Sequence, residues 1–122
     1  MAHILVVDDD SAIRMFLMEV LTHAGHFVTE AESGHIALQE LATHSIDLII
    51  TDIFMPTMDG IDFLVAVLRT DPHKKIIAVS GGHTAIDHRS ALELARSFGA
   101  MDSMEKPVPV HRLIRTIEQA LQ

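Results

Sequence analysis

The sequence predicts an α/β domain built on an open, doubly wound parallel sheet of five strands, each followed by a helix. Two observations carry this. Short apolar runs alternate with helical apolar spacing from one end of the 122-residue chain to the other. That strict alternation implies parallel strands, right-handed crossovers and helices on both faces. Five such units are too few for an eight-stranded barrel, so the sheet is expected to be open.

The elements follow in order. Ile4 to Val7 is wholly apolar, as befits a strand buried on both faces, and it stops at Asp8-Asp9-Asp10. Ser11 to Ala24 carries Ile13, Phe16, Leu17, Val20 and Leu21 at helical spacing, with Asp10 as N-cap and Gly25 as terminator. Phe27 to Ala31 is a weaker strand, and Gly34 to His44 a helix with Ile36, Ala37 and Leu41 inward. Asp47 to Thr51 is the next strand. Met55 to Gly60, with Pro56, is a loop, and Ile61 to Arg69 a helix ended by Asp71-Pro72. Ile76 to Ser80 is the fourth strand, and Ala85 to Phe98 a helix closed by Gly99. Ala100 to Met104 is the last strand. Val110, Leu113, Ile114, Ile117 and Leu121 mark a final amphipathic helix after Pro109.

Composition narrows the function. The length fits one domain, residues 1–122, and 48% hydrophobic residues can fill a core. Nine basic against 17 acidic residues give a net charge of −8, which repels nucleic acid and anionic membranes. Cysteine is absent, which excludes disulfide and thiol chemistry. The apolar run before Asp8 is too short for a signal peptide, so a cytoplasmic location is expected. The nine histidines are scattered through helix ends and loops and read as solvated, with His83 the one that could lie near a site. The seven methionines read as core filling.

In open α/β sheets, ligands bind beyond the carboxyl ends of the strands. There the sequence places Asp8, Asp9 and Asp10 after strand 1, Asp52 after strand 3, Ser80 at the end of strand 4 and Lys106 after strand 5. Singly, each has a plain explanation: an Asp after a strand is usually a helix N-cap, and Asp10 is read as one. Together they form a site. Carboxylates crowded to about 4 Å repel by about 4 kcal/mol per pair at an effective dielectric of about 20. A hard divalent cation relieves that repulsion. Mg²⁺, or Mn²⁺, takes oxygen ligands and is commonly held by one or two carboxylates with a phosphate. Lys106 adds a fixed positive charge and Ser80 a hydroxyl. A carboxylate so placed can act as a phosphoryl nucleophile, and Asp52 is the candidate.

These residues carry a resemblance. Val6-Val7-Asp8-Asp9-Asp10, Asp52-Ile53-Phe54-Met55-Pro56, Gly60, Ser80-Gly81, Gly99-Ala100 and Lys106-Pro107 resemble, over nearly the whole chain, the receiver domain of bacterial two-component response regulators, single-domain chemotaxis receivers among them. The resemblance implies a flavodoxin-like sheet in the order 2-1-3-4-5. It implies that Asp52 accepts a phosphoryl group from a histidine kinase or phosphotransfer protein. Asp9 would ligate Mg²⁺ directly, Asp8 through water, and Asp52 and the Phe54 carbonyl would complete the set. Ser80 would be the switch hydroxyl, and Lys106, before a cis Pro107, would contact the phosphoryl oxygens. Catalysis would be confined to the domain's own phosphorylation and slow dephosphorylation, so a switch rather than an enzyme is expected. Its output would be altered binding of a downstream protein. The state implied is a monomer, or a weak dimer through the face made by the fourth helix, fifth strand and fifth helix.

Two positions depart from the family pattern. The aromatic usual three residues before the lysine is Ser103, and the Phe often found after Lys-Pro is Val108. Output is therefore expected through the Gly81 to Asp87 loop, whose two leading glycines lower the cost of alternative backbone states. Phe54 and Gly82 would flank the phosphoryl group, and Met55 and Met58 would pack beside Asp52. Rival readings fare worse. A haloacid-dehalogenase-type phosphatase wants an Asp two residues after its nucleophile, where this chain has Phe54. A nucleotide or flavin site wants a glycine-rich loop where this chain has three acids. A receiver-like adaptor that works without phosphorylation would not need the full acid, hydroxyl and lysine set. The sequence ends just after the fifth helix at Gln122, which suits a stand-alone receiver, although the receiver piece of a longer regulator would read the same.

Overall fold

A computed structural model describes residues 2–53, 60–80 and 88–122, the side chains of 88–92 excepted. The elements are β1 (His3–Val7), α1 (Ser11–His23), β2 (Phe27–Ala31), α2 (Gly34–Thr43), β3 (Leu48–Asp52), α3 (Gly60–Thr70), β4 (Lys75–Ser80), α4 (His88–Ser97), β5 (Asp102–Glu105) and α5 (Val110–Ala120). All strand pairs are parallel and the sheet order is β2-β1-β3-β4-β5. The chain reverses direction across β1, so the carboxyl ends of β1 and β3 flank the crevice.

Successive strand residues point to opposite faces. Ile4, Val6, Leu48, Ile50, Ile77 and Val79 pack with Leu17 and Leu21 of α1 and Leu113 and Ile117 of α5. Leu5, Val7, Ile49, Ile76 and Ala78 pack on the other face with Ala37, Phe63, Leu64, Val67 and Ala95 from α2, α3 and α4. Both faces are covered, which is why these strands read as unbroken apolar runs. The edge strands are the exceptions: β2 buries only Ala31 of its five residues, and β5 only Ser103 and Met104 of its four.

Strand boundaries shift from the sequence reading by one or two residues, and the shifts at β3 and β5 have visible causes. β3 begins at Leu48, because Asp47 serves as a tie to the start of β1: its N–H donates to the His3 carbonyl at 2.8 Å and its Oδ2 accepts the His3 N–H at 2.8 Å. β3 also extends through Asp52, paired with Val79. β5 begins at Asp102, because Ala100 belongs to the end of α4, its N–H bonded to the Ala95 carbonyl at 3.1 Å. Gly99 there has φ of 119°, a conformation that favours glycine. The expected start of the fourth helix at Ala85, the Met55 to Asp59 part of the third loop, and the Gly81 to Asp87 segment lie outside the described residues. Among the described residues no helix is long and apolar enough to cross a membrane.

Candidate functional site

β1 delivers Asp8, Asp9 and Asp10 to the carboxyl edge of the sheet. The Asp10 carboxylate accepts the Ala12 N–H at 2.9 Å and caps α1. Asp8 is buried. Its N–H extends the β1–β2 ladder to the Ala31 carbonyl at 3.1 Å, and its Oδ1 accepts the Asp10 N–H at 2.9 Å. This turn fixes the loop and leaves Asp8 Oδ2 facing inward.

β3 delivers Asp52, also buried. Its carbonyl accepts the Thr51 hydroxyl at 3.0 Å. The first residue of α3, Gly60, lies against this same backbone. A Cβ there would overlap the Asp52 carbonyl oxygen and Ile53 Cα, so only glycine lets α3 start so close to the end of β3. The Gly60 N–H donates to the Ile53 carbonyl at 3.1 Å and pins the approach.

β4 and β5 deliver Ser80 and Lys106. Ser80 is wholly buried, and its carbonyl accepts the Lys106 N–H at 2.7 Å. That bond carries the β4–β5 pairing one step past Glu105. The Lys106–Pro107 peptide is cis, as the resemblance implied. Lys106 Nζ reaches Asp8 Oδ2 at 2.7 Å and Asp52 Oδ2 at 3.4 Å. Burial works against the charged ammonium. The hydrogen bond to Asp8 and the charges of Asp52 and Asp8 outweigh it and hold the Lys106 pKa above 10.5.

The carboxylates of Asp8, Asp9 and Asp52 offer oxygens that all lie within 4.8 Å of one another. Among the described residues this is the one His, Cys, Asp or Glu group that could hold a metal. Its donors are all hard oxygens, which fits Mg²⁺ or Mn²⁺ and disfavours softer ions. Asp9 is exposed while its partners are buried, so the group is open to solvent on one side.

The structure thus brings Asp8, Asp9, Asp52 and Lys106 together and places Ser80 on the same edge through its backbone. Phe54, Gly82, Met55, Met58 and His83 fall outside the described residues. Three features were not read from the sequence. Lys106 sits nearer Asp8 than Asp52. Gly60 is required by contact, beyond marking a helix start. Arg14 reaches from α1 to the Asp8 carbonyl at 2.7 Å. Ser103 lies on β5 in register with Ala78, in a polar cluster: its N–H donates to Asp102 at 2.8 Å, and Arg112 donates to Asp102 at 3.1 Å and to the Ser103 carbonyl at 3.3 Å.

A sheet in this order with reactive groups at its switch edge defines the flavodoxin-like class of ligand-binding α/β domains. Within that class the chain belongs to the response regulator receiver domain family, which it matches over residues 4–118. It is 37% identical to the chemotaxis protein CheY of Bacillus subtilis over 123 residues, covering 99% of each chain. It is 35% identical to the transcriptional regulator NtrC of Azospirillum brasilense, covering 98% of this chain but 24% of that one. The response regulator TrrA of Thermotoga maritima, solved with Mg²⁺ and BeF, superposes with a TM-score of 0.85 at 29% identity, over 98% of this chain and 99% of that one. Receiver domains act in two-component signalling, consistent with a phosphorylation-dependent switch.

Proposed function

We propose that Asp52 is the phosphoacceptor of a two-component switch. The observation that carries this is the Asp8, Asp9 and Asp52 group with Lys106 bonded into it. An Asp52 carboxylate oxygen attacks the phosphorus of a donor phosphohistidine. The N–P bond breaks, its electron pair stays on the imidazole, and an acyl phosphate forms on Asp52. Bound Mg²⁺ supplies charge neutralisation for the crowded carboxylates and the incoming phosphoryl oxygens. Asp8 and Asp9 would hold it, with Asp52 and, as the family resemblance implies, the Phe54 carbonyl as further ligands. Lys106 then exchanges a carboxylate partner for a phosphoryl oxygen. Ser80, buried at the end of β4, donates its hydroxyl to another.

The gain of charge at Asp52 is the signal, and its readout is changed affinity for a downstream protein. The partners upstream are a histidine kinase or phosphotransfer protein, and the reaction is read as a cytoplasmic one. TrrA was solved with Mg²⁺ and BeF, and that pairing suits the same chemistry at Asp52. Catalysis is confined to this self-modification and its slow hydrolysis. Self-association, where it occurs, is a weak dimer through α4, β5 and α5.

The test is direct. Incubated with Mg²⁺ and phosphoramidate, the protein gains the mass of one phosphoryl group. The gain is lost when the metal is chelated and lost in Asp52→Asn. A phosphorylated Asp52→Asn would end this reading.

A further inference from the structure

We propose that Arg14 is a positioning residue for the acidic edge, acting through the backbone of Asp8. The inference rests on the phosphoacceptor reading above and asks what keeps Asp9 in the cation-holding group.

Arg14 is the only Lys or Arg in the first 68 residues. It stands in the first turn of α1, its N–H bonded to the Asp10 carbonyl at 3.1 Å. A cation there faces the positive end of the helix dipole, so helix stability does not explain it. Its contacts do. Nη1 donates to the Asp8 carbonyl at 2.7 Å, and Nε donates to Glu30 Oε1 on edge strand β2 at 2.8 Å. The Arg14 side chain is 13% exposed and Glu30 is 42% exposed, so the guanidinium is packed inward and held from outside.

The Asp8 carbonyl belongs to the peptide that continues into Asp9. Asp8 is fixed at three other points: its N–H on Ala31, its Oδ1 on Asp10 and its Oδ2 on Lys106. Arg14 fixes the fourth, the tilt of the peptide that aims Asp9. Asp9 is the exposed member of the carboxylate group, so its place is set by the backbone that carries it.

A rival account, in which Arg14 acts only as a charge, predicts the opposite sign. A guanidinium near three carboxylates repels a divalent cation, so its removal should tighten Mg²⁺ binding. A lost positioning contact should weaken it, as outer-shell substitutions at metal sites do.

The experiment titrates metal-free protein with Mg²⁺, followed by amide chemical shifts, and then measures phosphoramidate phosphorylation at limiting and saturating Mg²⁺. Arg14→Ala is expected to raise the Mg²⁺ Kd about five- to tenfold, with the phosphorylation rate at saturating Mg²⁺ within about twofold of wild type. Arg14→Lys keeps the charge but cannot bridge both partners, and falls between. Glu30→Ala releases the guanidinium and raises Kd about two- to threefold, whereas Glu30→Gln keeps an oxygen acceptor and stays near wild type. Equal effects of these two Glu30 variants would mean that charge alone matters and would overturn the proposal. So would an unchanged or tighter Kd in Arg14→Ala. Should Arg14→Ala fail to fold, an unchanged or tighter Kd in Glu30→Ala is decisive in the same way. If wild type neither binds Mg²⁺ nor takes a phosphoryl group, the acceptor reading itself has failed, and this inference with it.

Discussion

The two ends of the sheet use charge in opposite ways. At the amino end, polar side chains tie off backbone. Asp47 accepts the His3 N–H, Lys74 donates to the Ile46 carbonyl at 2.6 Å, and Lys75 donates to the Ala120 carbonyl at the end of α5. These groups satisfy peptide ends that a strand or helix leaves open. At the carboxyl end, the side chains meet one another: Lys106 spans two buried carboxylates, with a third beside them. Buried ion pairs are weak contributors to stability, since desolvation consumes most of the attraction. The amino end is therefore built for holding the fold. The carboxyl end is a charged cluster that stability alone does not explain, in keeping with the function proposed for it.

The sharpest break in that contrast comes from Lys106→Met. In wild type, Lys106 partners both Asp8 and Asp52. Removing it leaves two buried carboxylates without that cation, and the expected loss is about 3 kcal/mol of unfolding free energy in urea. Mg²⁺ should restore more stability to the variant than to wild type, because it no longer competes with the ammonium. The pH dependence follows from the raised Lys106 pKa. A cation whose pKa is higher in the folded state stabilises fully below its unfolded value and loses that contribution as pH climbs through the folded one. Wild type should therefore lose stability above 10.5, and Lys106→Met should lack that loss. The chain has neither Tyr nor Cys to obscure the measurement. A variant as stable as wild type without metal would show that the carboxylates do not depend on Lys106.

Gly60→Ala is next in size and links packing to the site. The added methyl collides with backbone, at the Asp52 carbonyl and Ile53 Cα, so no side-chain rotation relieves it. The expected cost is about 1–3 kcal/mol. Because the collision falls on the residue proposed as acceptor, phosphoryl uptake should slow by about tenfold or more. Thermal unfolding and phosphoramidate kinetics measure the two effects separately. A destabilised variant with a normal rate would mean that Asp52 is held independently of α3.

Much of this was legible in the sequence because topology and charge are both local signals. Polar residues just past the apolar runs of four strands fall on one edge of the sheet before any contact is known. Asp8, Asp9, Asp52 and Lys106 were read as neighbours that way, and the structure does bring them together. What stayed hidden depends on which groups side chains meet. Arg14 was not singled out because its chief partner is a backbone carbonyl, which no residue type advertises. Ala100 looked like strand because it is apolar, but its N–H completes α4. Asp47 looked like the start of a strand because it precedes Leu48, but its side chain and N–H both serve His3.

The smallest effect is expected at the amino end, and it tests whether the two ends are separate. Asp47→Ala removes the carboxylate that accepts the His3 N–H, on an exposed edge, at a cost of about 1 kcal/mol. Phosphorylation rate and Mg²⁺ affinity should stay within about twofold of wild type. Strand β1 runs from His3 straight to the residue before Asp8, so transmission along it is conceivable. But β1 is paired with β2 at five positions from His3 to Val7 and with β3 at four from Ile4 to Val7. With both edges bonded, losing one end contact frays His3 without sliding the strand. A change at the acidic edge in Asp47→Ala would mean that β1 does slide, and that the division between its two ends is false.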